Sequence, residues 1–156
     1  MFCPADFSPY PWLEYAFAEY GVRETAGAGT TANIARYLAT VGLAGHSDET
    51  AWCSAFVNWC MEQAGIRGTG RANARSWLDW GGICLGFPTY GCVTVLWRES
   101  PTSWKGHVGF YLGREGNQVV LLGGNQGNAV SIRNYPESRV LGYRWPISAM
   151  PLPSRD

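Results

Sequence analysis

The hydrophobic period of this 156-residue chain changes once, near residue 91, and that change limits the folds it can adopt. Before it, apolar residues recur at helical spacing at 10–20, 31–41 and about 51–64, and 71–80 reads as a short fourth helix. After it, alternation with period 2 predicts four or five strands, at Cys92–Trp97, His107–Leu112, Val119–Leu122, Val130–Arg133 and Val140–Trp145. Helices followed by strands predict an α+β fold with N-terminal helices packed on a four- to five-stranded antiparallel sheet.

Length and composition predict one domain. With 46% hydrophobic residues, the chain has enough apolar surface for a single core, which we expect over about 10–146. Three prolines near the C-terminus indicate a loose tail at 147–156. The 14% aromatic content suits either a thick core or a groove that stacks on sugar or peptide faces.

Charge and hydropathy patterns exclude several classes of partner. Twelve basic and twelve acidic residues cancel, and no basic run predicts binding to nucleic acid. No apolar run is long enough to insert into a membrane. The N-terminus has no basic and apolar signal segment, so we expect synthesis in the cytoplasm without a signal peptide. We also expect a monomer.

The five cysteines are Cys3, Cys53, Cys60, Cys84 and Cys92, and their odd number leaves at least one thiol free. Cys53 and Cys60 share a helix face about 10 Å apart along the axis, too far for a disulfide. The pairing of the others is open. No Cys-x-x-Cys or His-x-x-x-His pair exists, so we expect no metal and no cofactor.

Cys53 falls in the first turn of the third helix, which Asp48 or Thr50 is placed to cap. Free backbone N–H groups and the helix dipole at this position favour a thiolate. A histidine beside it forms an ion pair with the thiolate and protonates a leaving amine. The alternative is a buried structural cysteine.

His107 opens a predicted strand, and Asn125 follows the next one. If Leu112 pairs with Val119 across a hairpin turn at 113–117, His107 lies opposite Gly124 and beside Asn125. This register predicts a Cys-His-Asn triad, in which the amide orients the imidazole. The alternative for Asn125 is a turn residue. We interpret His46, the other histidine, as a solvated loop residue.

Three segments together resemble the NlpC/CHAP-type papain-like cysteine peptidases, and more closely their phage-lysin and interbacterial amidase-toxin branch. They are Trp52–Cys60, Gly106–Tyr111 and Leu122–Gln126, and the resemblance covers about 30–146. It implies a small papain-like fold. It also implies cleavage of an amide bond in the peptide part of bacterial peptidoglycan by an acyl-enzyme route.

The resemblance also implies roles for individual residues. Cys53 would be the nucleophile, His107 the base and acid, and Asn125 the third member, with the Cys53 amide in the oxyanion hole. Ser54, Ser76 and Gln126 would contact the stem peptide, and Gln126 is the next candidate to orient His107. Many relatives have Asp where this chain has Trp52, which we expect to form an aromatic wall of the cleft instead.

Two other functions stay open at this point: a cysteine hydrolase or acyltransferase acting on protein or lipid, and a non-catalytic binding module rich in aromatic residues. An amidase acting on the wall would require delivery to the periplasm by a secretion system or holin-type release. An immunity protein would accompany it if it were a toxin.

Overall fold

The structure is a computed structural model that describes residues 10–25, 31–47 and 51–146. Three α-helices come first: α1 at Pro11–Ala18, α2 at Ala32–Ala39 and α3 at Cys53–Gln63. A 3-10 helix at Ala74–Asp79 follows them. The strands are β1 at Ile83–Leu85, β2 at Val93–Trp97, β3 at Gly106–Glu115, β4 at Gln118–Gly123, β5 at Ser131–Pro136 and β6 at Val140–Trp145. This confirms the predicted α+β fold.

The strands form one antiparallel sheet in the order β1-β6-β2-β3-β4-β5. The sequence predicted four or five strands and missed β1, because its three residues are too short to show a period. The predicted fourth helix is the 3-10 helix. Within the described residues, no helix is long and apolar enough to cross a membrane. The predicted C-terminal tail lies outside them.

Hydrophobic side chains form two cores. The main core includes Trp12 of α1, Phe56 of α3 and Val108 and Phe110 of β3, so it lies between the helices and one face of the sheet. The second core consists of Leu96, Val119 and Leu121, with Tyr111, Tyr135 and Val140 packed against it. Because side chains alternate across a strand, these two cores lie on opposite faces of the sheet.

The hairpin between β3 and β4 is tighter than predicted. Val119 pairs with Arg114, not with Leu112, and a register irregularity between Tyr111 and Gly113 shifts the rest of the ladder. The predicted pairing was therefore wrong, since a strand irregularity leaves no signal in the apolar pattern. The last pair is Phe110 with Leu122, so the first residues of β3 have no partner on the β4 side.

Among the described residues, no side chain caps the start of helix α3. Its N-cap residue is Trp52, which makes no capping hydrogen bond. The predicted caps, Asp48 and Thr50, lie outside the described residues. The helix ends where Gly65 adopts a φ of +79°, a conformation that glycine adopts without strain.

Candidate active site

Cys53 is the first residue of α3 and is 7% exposed. Burial raises the pKa of its thiol, while the backbone amides of Val108, Ser54 and Cys53 itself, with the more distant Arg98 charge, lower that pKa by less. Desolvation disfavours a thiolate, and aligned N–H donors favour one. Burial has the larger effect, so the thiol is favoured over the thiolate. The backbone N–H groups around it would stabilise a negative charge on the sulfur once the proton leaves.

The Cys53 thiol contacts the sheet through a hydrogen bond from the Val108 amide of β3. Tyr111 donates its N–H to Cys92 on the β2 side, and neighbouring residues of a strand bond in opposite directions. The N–H of Val108, three residues earlier, therefore points toward the β4 side. Because the β3–β4 ladder stops at Phe110, that amide is free to donate to Cys53 Sγ. The thiol thus occupies the gap beyond the end of β4.

His107 reaches this gap from the other face of the sheet. It pairs with Leu96, a member of the second core, whereas the next residue, Val108, belongs to the main core. Cross-strand partners point to the same face, so the imidazole rises from the second-core side. Cys53 therefore lies on the main-core side of β3 and His107 on its second-core side, next to the point where the β3–β4 ladder ends.

Gln126 fixes the tautomer of His107. Its Oε1 lies 2.8 Å from His107 Nε2, and its Nε2 donates to the carbonyls of Leu121 and Ser131 at 3.2 and 2.8 Å. Two carbonyl acceptors assign the amide orientation, so Oε1 accepts a proton from the imidazole. In the neutral ring, Nε2 carries that proton and Nδ1 keeps the lone pair of a base.

Two glycines leave room for the Gln126 side chain. A Cβ on Gly123 would lie 2.5 Å from Gln126 Oε1, and one on Gly109 would lie 3.5 Å from the same atom. Gly123 ends β4, and Gly109 lies on β3 two residues after His107. The amide therefore lies against two strands whose side chains are absent at that point. Only 2% of Gln126 is exposed.

Asn125 does not orient the histidine. It adopts a φ of +58° in the turn after β4, and its side chain makes no hydrogen bond to any described residue. The Asn125 triad prediction was therefore wrong, and its alternative, a turn residue, is confirmed. The chain leaves the strand at Gly123 and folds back, which brings Gln126 under His107. The predicted substrate contact of Gln126 was wrong for the same reason: its polar atoms are used inside the protein.

Tyr135, which the sequence did not single out, also contacts His107. Its hydroxyl lies 3.4 Å from His107 Nε2, and the two ring centroids are 5.1 Å apart at an interplanar angle of 35°. Burial and the nearby Cys53 raise the pKa of Tyr135 to about 12, so its hydroxyl stays protonated. The predicted strand ended at Arg133, two residues short of it, so no sequence signal pointed to this residue.

Burial lowers the pKa of His107 from 6.5 to about 4. The Gln126 hydrogen bond raises it, and the charges of Arg98 and Arg139 lower it further. The imidazole is therefore neutral at pH 7. Burial disfavours the charged form of both Cys53 and His107, and so opposes the thiolate–imidazolium pair expected from the helix start. Desolvation of two buried groups outweighs the helix-start amides.

Two further predictions were wrong because the side chains point inward. Trp52 is fully buried: its indole N–H donates to Glu24 at 2.9 Å, and its ring lies 5.8 Å from that of Tyr37. It is a core residue, not a wall of the cleft. Ser54 is also 0% exposed. Its hydroxyl donates to the Arg71 carbonyl at 2.7 Å and accepts from Trp77 Nε1 at 2.9 Å.

Ser76 borders an open pocket of about 420 Å³. Its hydroxyl donates to Thr69 Oγ1 at 2.9 Å, and the pocket is also lined by Arg67, Arg71, Asp79 and Trp80. The carbonyl of Arg71 accepts from Ser54, the residue after the nucleophile. The pocket wall is therefore attached directly to the first turn of α3.

The other histidine and the other described cysteines lie outside this arrangement. His46 is exposed in a loop, as predicted. The described cysteines, Cys53, Cys60, Cys84 and Cys92, are all free, and Cys3 lies outside the described residues. Within the part of the chain that the structure describes, no cluster of three or more His, Cys, Asp or Glu side chains is placed to hold a metal ion.

The fold is of a known type. No protein-family model and no curated protein matches the sequence. Two solved structures are similar over 89% of the chain. One is a protein similar to a lipoprotein of the NLP/P60 family from Staphylococcus aureus subsp. aureus Mu50, with 17% identity and a TM-score of 0.51. The other is the resuscitation promoting factor interacting protein RipA, mutated at one histidine, with 18% identity and a TM-score of 0.52.

These similarities concern the fold. The chain spans 41% of the length of the staphylococcal chain and 62% of the RipA chain. It has the NlpC/P60 type of α+β fold, in agreement with the resemblance of its sequence motifs.

Proposed function

We propose that this protein is a cysteine hydrolase that cleaves an amide bond in the peptide part of bacterial peptidoglycan. One observation carries the proposal: at the start of α3 a buried thiol accepts from the amide of Val108, and the preceding residue, His107, has its tautomer fixed with Nδ1 as the base. The NlpC/P60-type fold and the resemblance of the three motifs to NlpC/CHAP-type peptidases support peptidoglycan as the substrate.

The proposed reaction has two steps. His107 Nδ1 takes the thiol proton as Cys53 Sγ attacks the carbonyl carbon of the substrate, and the carbonyl oxygen gains a negative charge. The amide of Cys53 is placed to stabilise that oxyanion. His107 then gives its proton to the leaving amine, which leaves an acyl-enzyme. Water, activated by the same nitrogen, releases the acid and restores the thiol.

The pocket beside Ser76 is the place we assign to the stem peptide. Arg67 and Arg71 line it, and within the described residues neither guanidinium forms an ion pair. Guanidinium groups bind carboxylates in a bidentate manner, and the stem peptide carries carboxylates. In this proposal Ser54 positions the pocket wall through Arg71, and Ser76 contacts the peptide.

The test is digestion of purified sacculi followed by mass spectrometry. We expect new peptide fragments from the wild-type protein and from Cys84→Ser, which changes an exposed thiol outside the site. We expect none from Cys53→Ala. The fragment masses also assign the bond, either the sugar–L-Ala amide or a peptide bond within the stem. Intact sacculi with active wild-type protein would contradict the proposal and favour a protein or lipid substrate.

We further propose that the protein acts on the wall after delivery from the cytoplasm, as a toxin or a lysin. Expression with an added export signal should then lyse or round bacterial cells, and Cys53→Ala with the same signal should not. Protection by a co-expressed neighbouring gene product would support the toxin, because toxin-producing cells need an immunity protein. Harmless export of active protein would contradict action on the wall.

A further inference from the structure

His107 has two side-chain contacts at Nε2, whereas one orienting amide is enough to fix the tautomer of a catalytic histidine. Gln126 accepts at Nε2, and the Tyr135 ring lies over the imidazole with its hydroxyl 3.4 Å from the same nitrogen. Both contacts meet the end of the ring that carries the proton. Because Gln126 fixes that proton on Nε2, the Tyr135 oxygen is the second acceptor for it.

A stack of side chains holds Tyr135 in place. The Arg139 guanidinium lies 5.8 Å from the centre of the Tyr135 ring and 5.6 Å from that of Trp97. Arg139 Nε also donates to the Trp97 carbonyl at 3.0 Å. Cation–π contacts on both aromatic rings and a backbone hydrogen bond leave the guanidinium little freedom. Tyr135 is thus fixed between Arg139 and His107.

This stack brings together strands that are far apart in the sheet. Tyr135 lies on β5, at the edge, while Trp97 lies on β2, and the strands β4 and β3 lie between them. Their common contact with Arg139 shows that the sheet curls around the second core. His107 lies on the same face of the sheet, where Leu96 of the second core is its strand partner.

We propose that Tyr135 is a positioning residue for His107: its ring fixes the plane of the imidazole, and its oxygen shares the Nε2 proton with Gln126. The inference rests on the proposed function only in that His107 acts as the base. A second acceptor at Nε2 stabilises the imidazolium that forms when Nδ1 takes the thiol proton. The hydroxyl therefore assists proton transfer without touching substrate.

The surroundings of His107 disfavour the imidazolium, so a second hydrogen-bond acceptor at Nε2 matters for its formation. Arg98 at the end of β2 and Arg139 beside β6 both disfavour a positive imidazole, and burial disfavours it more. Cys53 on α3 is the group that supplies the compensating negative charge when its thiol ionises. Until then, Gln126 and Tyr135 are the dipoles on the described elements that contact the imidazole.

The experiment is 15N NMR of histidine-labelled protein, since the chain contains two histidines, His46 and His107. Tyr135→Phe removes the hydroxyl and keeps the ring, and Tyr135→Leu removes both. Tyr143→Phe is the matched control, because Tyr143 is a part-buried tyrosine in edge-to-face contact with Tyr111 and has no contact with His107 among the described residues. Alkylation of Cys53 by iodoacetamide, read by peptide mass spectrometry, reports how easily the thiol gives up its proton.

We expect wild type and Tyr143→Phe to show His107 with a protonated Nε2 and a bare Nδ1. Tyr135→Phe should keep that tautomer and slow the alkylation of Cys53 by about 3- to 10-fold at pH 7, as one lost hydrogen bond would. Tyr135→Leu should add a population protonated at Nδ1. Wild-type spectra and alkylation rates in both Tyr135 variants would overturn the inference. Neither readout uses a substrate, so failure on sacculi would leave this result unaffected.

Discussion

Gln126 and His107 make a hydrogen bond of fixed direction. Both protons of the Gln126 amide are committed to the carbonyls of Leu121 and Ser131, so the oxygen alone faces the imidazole, 2.8 Å from Nε2. The two side chains therefore form a hydrogen bond only while His107 Nε2 carries a proton. It prepares Nδ1 for the thiol before any substrate arrives, which makes Gln126 the residue whose loss should most directly disturb the base.

Gln126→Leu should reduce hydrolysis by about 10- to 1,000-fold, the range expected when a catalytic histidine loses its orienting group. The leucine fills the site without accepting a hydrogen bond, so His107 samples both tautomers. Asn125→Ala is the matched control, since Asn125 lies one residue away in the turn. Initial rates on sacculi measure both variants. Equal losses in the two would show that the turn, and not the Gln126 oxygen, matters.

Cys53→Ala should abolish hydrolysis while leaving the fold intact. The substitution removes the nucleophile and only one buried sulfur atom, so activity falls by at least thousands-fold while packing changes little. Circular dichroism and thermal unfolding check the fold, and sacculus digestion checks the activity. An active Cys53→Ala protein would disprove acyl-enzyme chemistry at this residue.

Gly123→Ala should reduce both activity and stability. The added methyl would lie 2.5 Å from Gln126 Oε1 and 3.0 Å from its Cδ, so the amide must move away from His107. Overpacking of this kind destabilises a protein by about 1–3 kcal/mol. Gly113→Ala is the control, because no atom lies within 4 Å of its added methyl. Urea unfolding and rates on sacculi should separate the two, and a Gly123→Ala protein with wild-type activity would contradict the proposed packing.

Stability should fall as the pH falls from 7 to 5, in part because of His107. Its pKa is about 4 in the folded chain against an ordinary 6.5, so the unfolded chain binds a proton in this window and the folded chain does not. The contribution of the neutral His107 to the free energy of unfolding is fully present above pH 6.5 and is lost as the pH falls toward 4. The loss between pH 7 and 5 is about 2 kcal/mol.

Urea unfolding of wild type and His107→Gln at the two pH values tests this, with His46→Gln as control. The His107 variant should lose about 2 kcal/mol less than wild type over this range. Carboxylates titrate equally in all three proteins and cancel in the comparison. Equal losses in wild type and His107→Gln would show that the folded protein readily protonates His107.

The sequence predicted the large elements well, because the helices and strands carry strong periods and their ends carry glycine. Cys53 at the start of α3 and His107 at the start of β3 follow directly from those periods. β1 was missed because three residues show no alternation. The Cys53–His107 ion pair stays a prediction. Burial disfavours the charge on each group, and burial depends on tertiary packing, which no local pattern contains.

The environment of the histidine was harder to predict. Asn125 and Gln126 are neighbours in one turn, and a single register irregularity at Tyr111–Gly113 decides which of them meets His107. Tyr135 reaches His107 through the curl of the whole sheet. Trp52 and Ser54 flank the nucleophile in sequence, yet the helix start turns both inward. Adjacency along the chain was therefore a poor guide to which side chains reach the cleft.

The early end of β4 also has a consequence for the stage of folding at which Cys53 becomes reactive. The thiol is attached to the core built by the helices, and its base to the core enclosed by the curled sheet. Val108, whose amide donates to the sulfur, and His107 are neighbours on β3 that face different cores, so both cores must pack on this strand before the site is complete. In a chain in which one of the two cores has not formed, Cys53 would have the reactivity of an unperturbed cysteine. The reactivity of this thiol therefore indicates that both cores have formed.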